Sequence, residues 1–232
     1  MSLNLPICLG ELRSVLQSDS RLIIDLPEGF QQAGVLIPLV LRKKSWNLLF
    51  TRRTDNVRHH KNEISFPGGR YEDDLDIDLI STAMREINEE LGIQKIKIVG
   101  LLDDLLTISK YVVTPVIGYI EDIGEVDEGN ILAAEIDYVI EVPLSDLTFP
   151  DRFYVKEMTY KENYTFQVPF FDYNGEIIWG ATGRILVNLL MKLNLLSPTC
   201  RLRLMERDIW QENEKIDGGL EYIEKLDLLN GE

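Results

Sequence analysis

The sequence predicts an α+β fold, with two long amphipathic helices at about residues 79–91 and 181–194 set among roughly eight strands. Three observations carry that expectation. Leu79, Ala83, Ile87 and Leu91 recur at i, i+4, i+8 and i+12, which lines one stripe of a helix. The stretch "ATGRILVNLLMKLNLL" gives a second amphipathic helix near the other end of the chain. Around these helices lie apolar runs of strand length, many rich in β-branched and aromatic residues and punctuated by turn-formers.

Along the chain, "CLGELRSVLQS" places Leu9, Leu12, Val15 and Leu16 at helical spacing and predicts a short N-terminal helix. "GVLIPLVLRKKSWNLLFTRR" holds two apolar runs around the polar break "RKKS", which reads as a hairpin. "FPGG" reads as a glycine turn, since proline fixes φ and two glycines permit backbone angles closed to other residues. Gly92 stands where a helix C-cap glycine belongs, directly after the stripe. "KIKIVGLLDDLLT", "KYVVTPVIGYI" and "EIDYVIEVPL" read as strands, the last ended by Pro143 and followed by a short turn or helix. "RFYVKEMTYK", "YTFQVPFFDY" and "EIIWG" form a meander with a turn at Asn174-Gly175. Residues 1–32 are thus a helix and lead-in, and 33–196 form the main domain. Residues 197–232 are an acidic appendage, partly helical around "LRLMERDIWQ" and "LEYIEKLDLL", with three roles open to it: covering a face, mediating a homodimer or regulating access.

The 232 residues suffice for a full core, and 45% hydrophobic with 27% charged residues is an ordinary globular balance. Cys8 and Cys200 lie far apart with no metal-ligand spacing, so neither a zinc site nor a disulfide framework is expected. No window of about 18 apolar residues exists and no secretory leader pattern opens the chain, so the expected setting is cytoplasmic. A net charge of −15 opposes nucleic acid or an anionic membrane as partner. Yet eight of the 24 basic residues fall between Arg42 and Arg70, against only Asp55 and Glu63. That segment either holds a small anion or is a solvated surface.

The sharpest chemical signal is on the first long helix. Glu86, Glu89 and Glu90 occupy i, i+3 and i+4, so their carboxylates project within about one turn. Such crowding costs stability and raises pKa values unless a cation neutralises it. A hard divalent ion suits this set, because magnesium and manganese accept oxygen ligands and are completed by water and substrate phosphates. The alternative is a solvated acidic face paired with Arg85, Lys95 and Lys97.

"FPGG" followed by "REINEELGI" resembles the box of the Nudix hydrolases, in which a glycine-containing loop precedes a helix carrying Arg-Glu-apolar-x-Glu-Glu-x-Gly-apolar. Arg85, Glu86, Ile87, Glu89, Glu90, Gly92 and Ile93 fit that pattern. The resemblance implies an α/β/α sandwich around a mixed central sheet. It also implies that Glu86, Glu89 and Glu90 bind divalent cations, Mg2+ or Mn2+, and position the attacking water. The Gly68 carbonyl would join them, and Arg85 would orient the glutamates through an i, i+4 pair with Glu89. The family's further glutamate, eight residues before the arginine, is here Ile77, and the Gly69-to-Arg85 spacing is two residues longer than usual. In the family that glutamate mainly holds the loop to the helix, and Glu72, Asp74, Asp76 and Asp78 are the carboxylates available to replace it.

The segment "LLFTRRTDNVRHHKNEISFPGG" is similar to the one that marks the coenzyme A diphosphatase branch, with Thr51, Arg53, Thr54, Arg58, Phe66, Pro67, Gly68 and Gly69 in register. Asn62 stands at a glycine of that pattern and is the next best residue for positive φ. The similarity runs from about Ala33 to Leu193. It implies a diphosphatase that cuts coenzyme A or acyl-coenzyme A, with Glu86, Glu89 and Glu135 catalytic. Arg53, Arg58 and Arg70 are the candidate phosphate-gripping residues, since guanidinium forks hold phosphate oxygens bidentately. Glu135 matches a place before a late strand where many members carry a metal-binding or base carboxylate. His59 and His60 are exposed loop imidazoles or substrate contacts, and Trp46 and Trp179 are expected in the core rather than against adenine. Other substrates remain open, ADP-ribose or a dinucleotide among them, as does a binding module without turnover.

Overall fold

The computed structural model describes residues 8–18, 21–55, 62–121, 135–160 and 164–205. Along them run α1 (Leu9–Ser18), β1 (Gln31–Arg42), β2 (Ser45–Arg53), β3 (Ile64–Ser65), β4 (Gly68–Arg70), α2 (Leu79–Leu91), β5 (Ile96–Leu101), β6 (Leu105–Leu106) and β7 (Tyr111–Ile120). There follow β8 (Ile136–Pro143), β9 (Phe153–Tyr160), β10 (Tyr164–Tyr173), β11 (Glu176–Ile178), α3 (Gly180–Lys192) and α4 (Pro198–Met205). The strands beyond the expected eight are β3, β4 and β6, each two or three residues long and too short to show a periodic pattern.

A mixed sheet forms the centre, ordered β3-β2-β1-β7-β5, with β8 also on β2, β4 on β1 and β6 on β7. The hairpin β1–β2 closes between Arg42 and Ser45, with Lys43 and Lys44 at φ 47 and 71, so two lysines take the left-handed angles of a tight two-residue turn. β1 and β7 run parallel from Gln31↔Tyr111 to Val40↔Ile120, and the other pairs are antiparallel. Both faces of β1 are buried, which explains its nearly continuous apolar text. Side chains alternate between the faces with period two. Leu36, Val40, Leu49, Val116 and Ile120 meet Ala83, Ile87 and Leu91 of α2 on one side. Ile37, Leu39, Leu48, Phe50 and Ile117 share the other, larger core with α1, α3, α4 and the meander β9–β10–β11. Trp46 is buried there, whereas Trp179 is half-buried and stacks on Phe170 at 5.7 Å. Arg203 on α4 donates to the Pro150 and Phe153 carbonyls, and Cys200 and Leu204 sit in the same core.

α2 has the expected bounds. Its N-cap is Asp78, which accepts from the Ser81 amide while the Ser81 hydroxyl accepts from the Asp78 amide, and it ends on the left-handed Gly92. α3 stops at Lys192, two residues before the expected end, because Asn194 turns left-handed at φ 54. "FPGG" requires a larger correction. Neither Gly68 nor Gly69 has a positive φ; instead Gly68, Gly69 and Arg70 extend as β4 and pair with Val35, Gly34 and Ala33. Asn62 does adopt the glycine-like angle expected of it, at φ 57. No helix among the described residues is long and apolar enough to cross a membrane.

Ile87 is wholly buried between α2 and the sheet. Ile87→Ala is expected to lower stability by roughly 2–5 kcal/mol, read as a drop in the urea midpoint with unchanged slope.

Candidate active site

Arg85 organises the region. Its Nε and Nη2 donate to Asp76 Oδ1 and Oδ2 at 2.9 and 3.0 Å, and Nη1 donates to Glu86 Oε1 at 2.8 Å and Glu89 Oε2 at 3.2 Å. Nη2 also reaches the Arg70 carbonyl at 3.0 Å. One guanidinium therefore ties α2 to the end of β4 and to the loop between them. Four carboxylates were open to replace the family glutamate, and it is Asp76 that takes Arg85. Asp78 is committed to the cap, and Ile77, at the family position, is 92% exposed. The longer loop folds around Asp76: the Glu72 amide donates to its Oδ2, its own amide donates to the Glu72 carbonyl, and the Tyr71 hydroxyl donates to its carbonyl. The Asp78-x-x-Ser81 cap signal could have excluded Asp78 from the sequence alone, but nothing local separated Asp76 from Glu72 and Asp74.

The charges respond to this geometry. The Arg85 fork holds the buried Asp76 carboxyl down at about 2, against 3.8 ordinarily. Burial raises Glu86 above its usual value, partly offset by Arg85. Glu90 is pushed up to about 8, first by burial and then by Glu86, while Arg53 and the Gly68 backbone oppose the rise. Glu90 Oε2 is sealed from solvent and finds no hydrogen-bond partner. Glu89 is half-exposed.

Gly68 and Gly69 are glycines for close approach rather than for a turn. A Cβ at Gly69 would lie 2.3–2.7 Å from the Glu86 carboxylate, and one at Gly68 would lie 2.7 Å from the Gly34 carbonyl and the Val35 backbone. β4 thus lies directly against the glutamate side of α2. Sequence reasoning missed Gly69 as a site residue, because a steric requirement set by a neighbouring helix leaves no local mark.

Arg53 and Glu135 meet: Nη2 donates to Glu135 Oε2 at 3.1 Å, while Arg53 Nε is buried and has no partner. Arg70 is more than half exposed, faces Glu72 at 4.0 Å, and lines a cleft of about 430 Å3 with Leu26, Gln31, Tyr71, Asp73 and Asp74. Of the other basic residues between Arg42 and Arg70, Arg42 pairs with Glu141 and Arg52 with Glu176. Arg58, His59 and His60 lie outside the described residues.

Among the described residues, no three His, Cys, Asp or Glu side chains form a ready-made metal cage. Arg85 draws Glu86 and Glu89 to itself. The donor set nonetheless fits a hard cation: carboxylate oxygens of Glu86, Glu89 and Glu90, with the orphaned Glu90 Oε2 the acceptor that most needs one.

Three outcomes follow from this arrangement. Asp76→Asn is expected to cost on the order of 2 kcal/mol near neutral pH. Because the folded-state pKa is depressed, that contribution is complete above the unfolded value near 4 and is lost as pH falls toward about 2, so wild-type and variant denaturation curves should converge across that window. Gly69→Ala should leave the melting temperature within a few degrees, since a flexible carboxylate can move aside. By displacing Glu86, it should weaken divalent-cation binding roughly 10-fold or more, measured by Mn2+ titration. Gly68→Ala meets backbone instead, and should lower the melting temperature.

A model of the NUDIX domain matches residues 30–160. The chain is 32% identical over 172 residues to the uncharacterized Nudix hydrolase NudL of Photorhabdus laumondii, covering 73% of this chain and 89% of that protein. It is 34% identical over 165 residues to NudL of Yersinia enterocolitica, covering 70% and 82%. Among solved structures, a MutT/nudix family protein from Enterococcus faecalis aligns over 85% of this chain and 74% of its own at 13% identity and a TM-score of 0.47. By the domain match and these relatives, the chain belongs to the Nudix hydrolase family, whose members act on phosphoric anhydrides and generally use divalent cations.

Proposed function

We propose that the protein is a Mg2+- or Mn2+-dependent diphosphatase of coenzyme A or acyl-coenzyme A. It would release 3′,5′-ADP and 4′-phosphopantetheine, or the acylated form, in the cytoplasm. The observation that carries the chemistry is that the buried acceptor Glu90 Oε2 and the buried donor Arg53 Nε both lack partners, on two residues close enough to act on each other's charge. An acceptor without a donor suits a cation, and a donor without an acceptor suits a phosphate oxygen. A diphosphate with its cation supplies both. The coenzyme A assignment is supported by Thr51, Arg53, Thr54, Phe66, Pro67, Gly68 and Gly69, which match the marker segment of that branch. Asn62 adds support, because its φ of 57 makes it serve where the pattern has glycine.

In this reading Glu86, Glu89 and Glu90 hold the cation, with the Gly68 carbonyl beside them. When bound, the cation would spread the diphosphate's negative charge and ease ionisation of water. Arg53, with Arg58 and Arg70 as further candidates, grips phosphate oxygens. Glu89 and Glu135 are the more exposed carboxylates and so the candidates to take a proton from the attacking water. Water oxygen bonds to one phosphorus, and the bond from that phosphorus to the bridging oxygen breaks. The departing phosphate keeps that oxygen and the bonding electron pair. Arg85 keeps Glu86 and Glu89 oriented throughout.

The deciding experiment incubates the protein with Mn2+ or Mg2+ and, separately, coenzyme A, NADH, ADP-ribose and nucleoside triphosphates, with products identified by mass. Cation-dependent release of 3′,5′-ADP as the dominant reaction is the expected result. Preferential AMP formation from ADP-ribose or NADH would transfer the assignment to another nucleoside diphosphate derivative, and binding without any product would make the protein a nucleotide-metabolite sensor.

A further inference from the structure

The ion pair between Arg53 and Glu135 joins two residues whose proposed duties are incompatible with it. A guanidinium whose Nη2 is spent on Glu135 offers a phosphate only part of its fork, and a carboxylate neutralised by an arginine is a poorer cation ligand and a poorer base. The backbone gives neither residue an easy way to withdraw. A bulge falls between Arg52 and Arg53 as β2 pairs with β8, the Arg53 amide donates to the Glu63 carbonyl at 3.0 Å, and the Thr54 amide donates to the Glu135 carbonyl at 2.8 Å. Both main chains are therefore pinned side by side, and any change of partner has to be made by the side chains.

The pair itself is suited to exchange. The Glu135 side chain is 57% exposed and receives a single hydrogen bond from Arg53, and half-exposed pairs of this kind are weak. Arg53 is also close enough to Glu90 to stabilise its charge, while Glu135 opposes it, so the three groups share one electrostatic neighbourhood. The Arg53 Nε–H is already desolvated and has no acceptor. A new acceptor at that atom would therefore satisfy a donor that Glu135 does not.

We propose that Arg53 changes partner during the reaction cycle: it holds Glu135 until that carboxylate turns to a divalent cation, and it then gives its whole fork, Nε–H included, to a phosphate oxygen of the substrate. This rests on the reading of Glu86, Glu89 and Glu90 as a cation-binding set, to which the exchange adds Glu135. Cation and diphosphate thereby strengthen each other's binding beyond their mutual attraction, and reciprocity requires the same coupling in both directions. Arg53 acts as an internal cation that competes with the metal, not only as a phosphate contact.

The test begins without substrate. Mn2+ is titrated into wild-type protein, Arg53→Met and Arg52→Met, the last removing a neighbouring charge that pairs with Glu176 instead. Arg53→Met should bind Mn2+ about 5-fold tighter or more, and Arg52→Met should not. Equal or weaker binding by Arg53→Met, or an equal gain in Arg52→Met, overturns the exchange. A second arm keeps Arg53 in place and uses inorganic pyrophosphate in the presence of a chelator. Glu135→Gln should bind it about 5-fold tighter than wild type, clearly more than Glu89→Gln, which removes another exposed carboxylate of the site without freeing Arg53. No difference between these two variants also overturns it. Since the Mn2+ arm needs no turnover, it separates the two readings. If coenzyme A is not cleaved but Arg53→Met gains Mn2+ affinity, the exchange stands and the substrate assignment falls; the converse result removes the exchange alone. Wild-type protein that binds no Mn2+ would remove both.

Discussion

The Arg85 guanidinium is the interaction on which the rest of the site depends. It sits among three carboxylates and one carbonyl, two of those acceptors on its own helix and two on the chain leading into it. Without a positive charge there, α2 would present Glu86, Glu89 and Glu90 within a turn of one another beside the buried Asp76, an arrangement that Coulomb repulsion and desolvation both oppose. The bidentate contact to Asp76 is the best sealed of these, with the Asp76 side chain only 1% exposed. It turns an eight-residue connection into a folded loop whose backbone closes on itself through Glu72. Loop order, glutamate orientation and the seat of β4 against α2 therefore depend on one side chain.

The sheet adds a second constraint. Because strand side chains alternate between faces, Arg52 and Arg53 are neighbours in sequence but work on opposite sides of β2. Arg52 faces the larger core's side, where it binds Glu176 of β11 and lies over the Tyr138 ring, whose hydroxyl donates to the same glutamate. That cluster links the meander to the edge of the central sheet. Arg53 faces the α2 side and the carboxylates. The run of basic residues between Arg42 and Arg70 is thus divided by geometry, and Arg42, Arg52, Arg53 and Arg70 each face a carboxylate.

Much of this was legible in the sequence, for reasons that differ by element. α2 could be bounded because its apolar stripe, its terminal glycine and its packing against a sheet all demand one conformation. The long strands could be placed because their apolar runs are bounded by turn residues. "FPGG" was misread because glycine has two distinct uses, left-handed angles and close approach, and only the neighbouring helix decides between them. Asp76 could not be selected from among the nearby acids, since burial by a loop folding on itself leaves no periodic trace. The Arg53–Glu135 contact was equally invisible, as it joins residues 82 positions apart through a strand pairing.

The chain's charge of −15 gives these local arrangements a common logic. An anionic substrate approaching such a protein meets an unfavourable field, so affinity has to come from short-range positive charge. Arg85 cannot supply it, being already divided among Asp76, Glu86 and Glu89. Arg53 can, but only by leaving Glu135. On the proposed reading, a divalent cation answers both needs together: it neutralises carboxylates that share too little positive charge among them, and it releases Arg53 from Glu135. The electrostatic cost of crowding four glutamates around this site then becomes a requirement that cation and diphosphate arrive as a unit. A protein able to hold its glutamates comfortably without a cation would have no such selectivity.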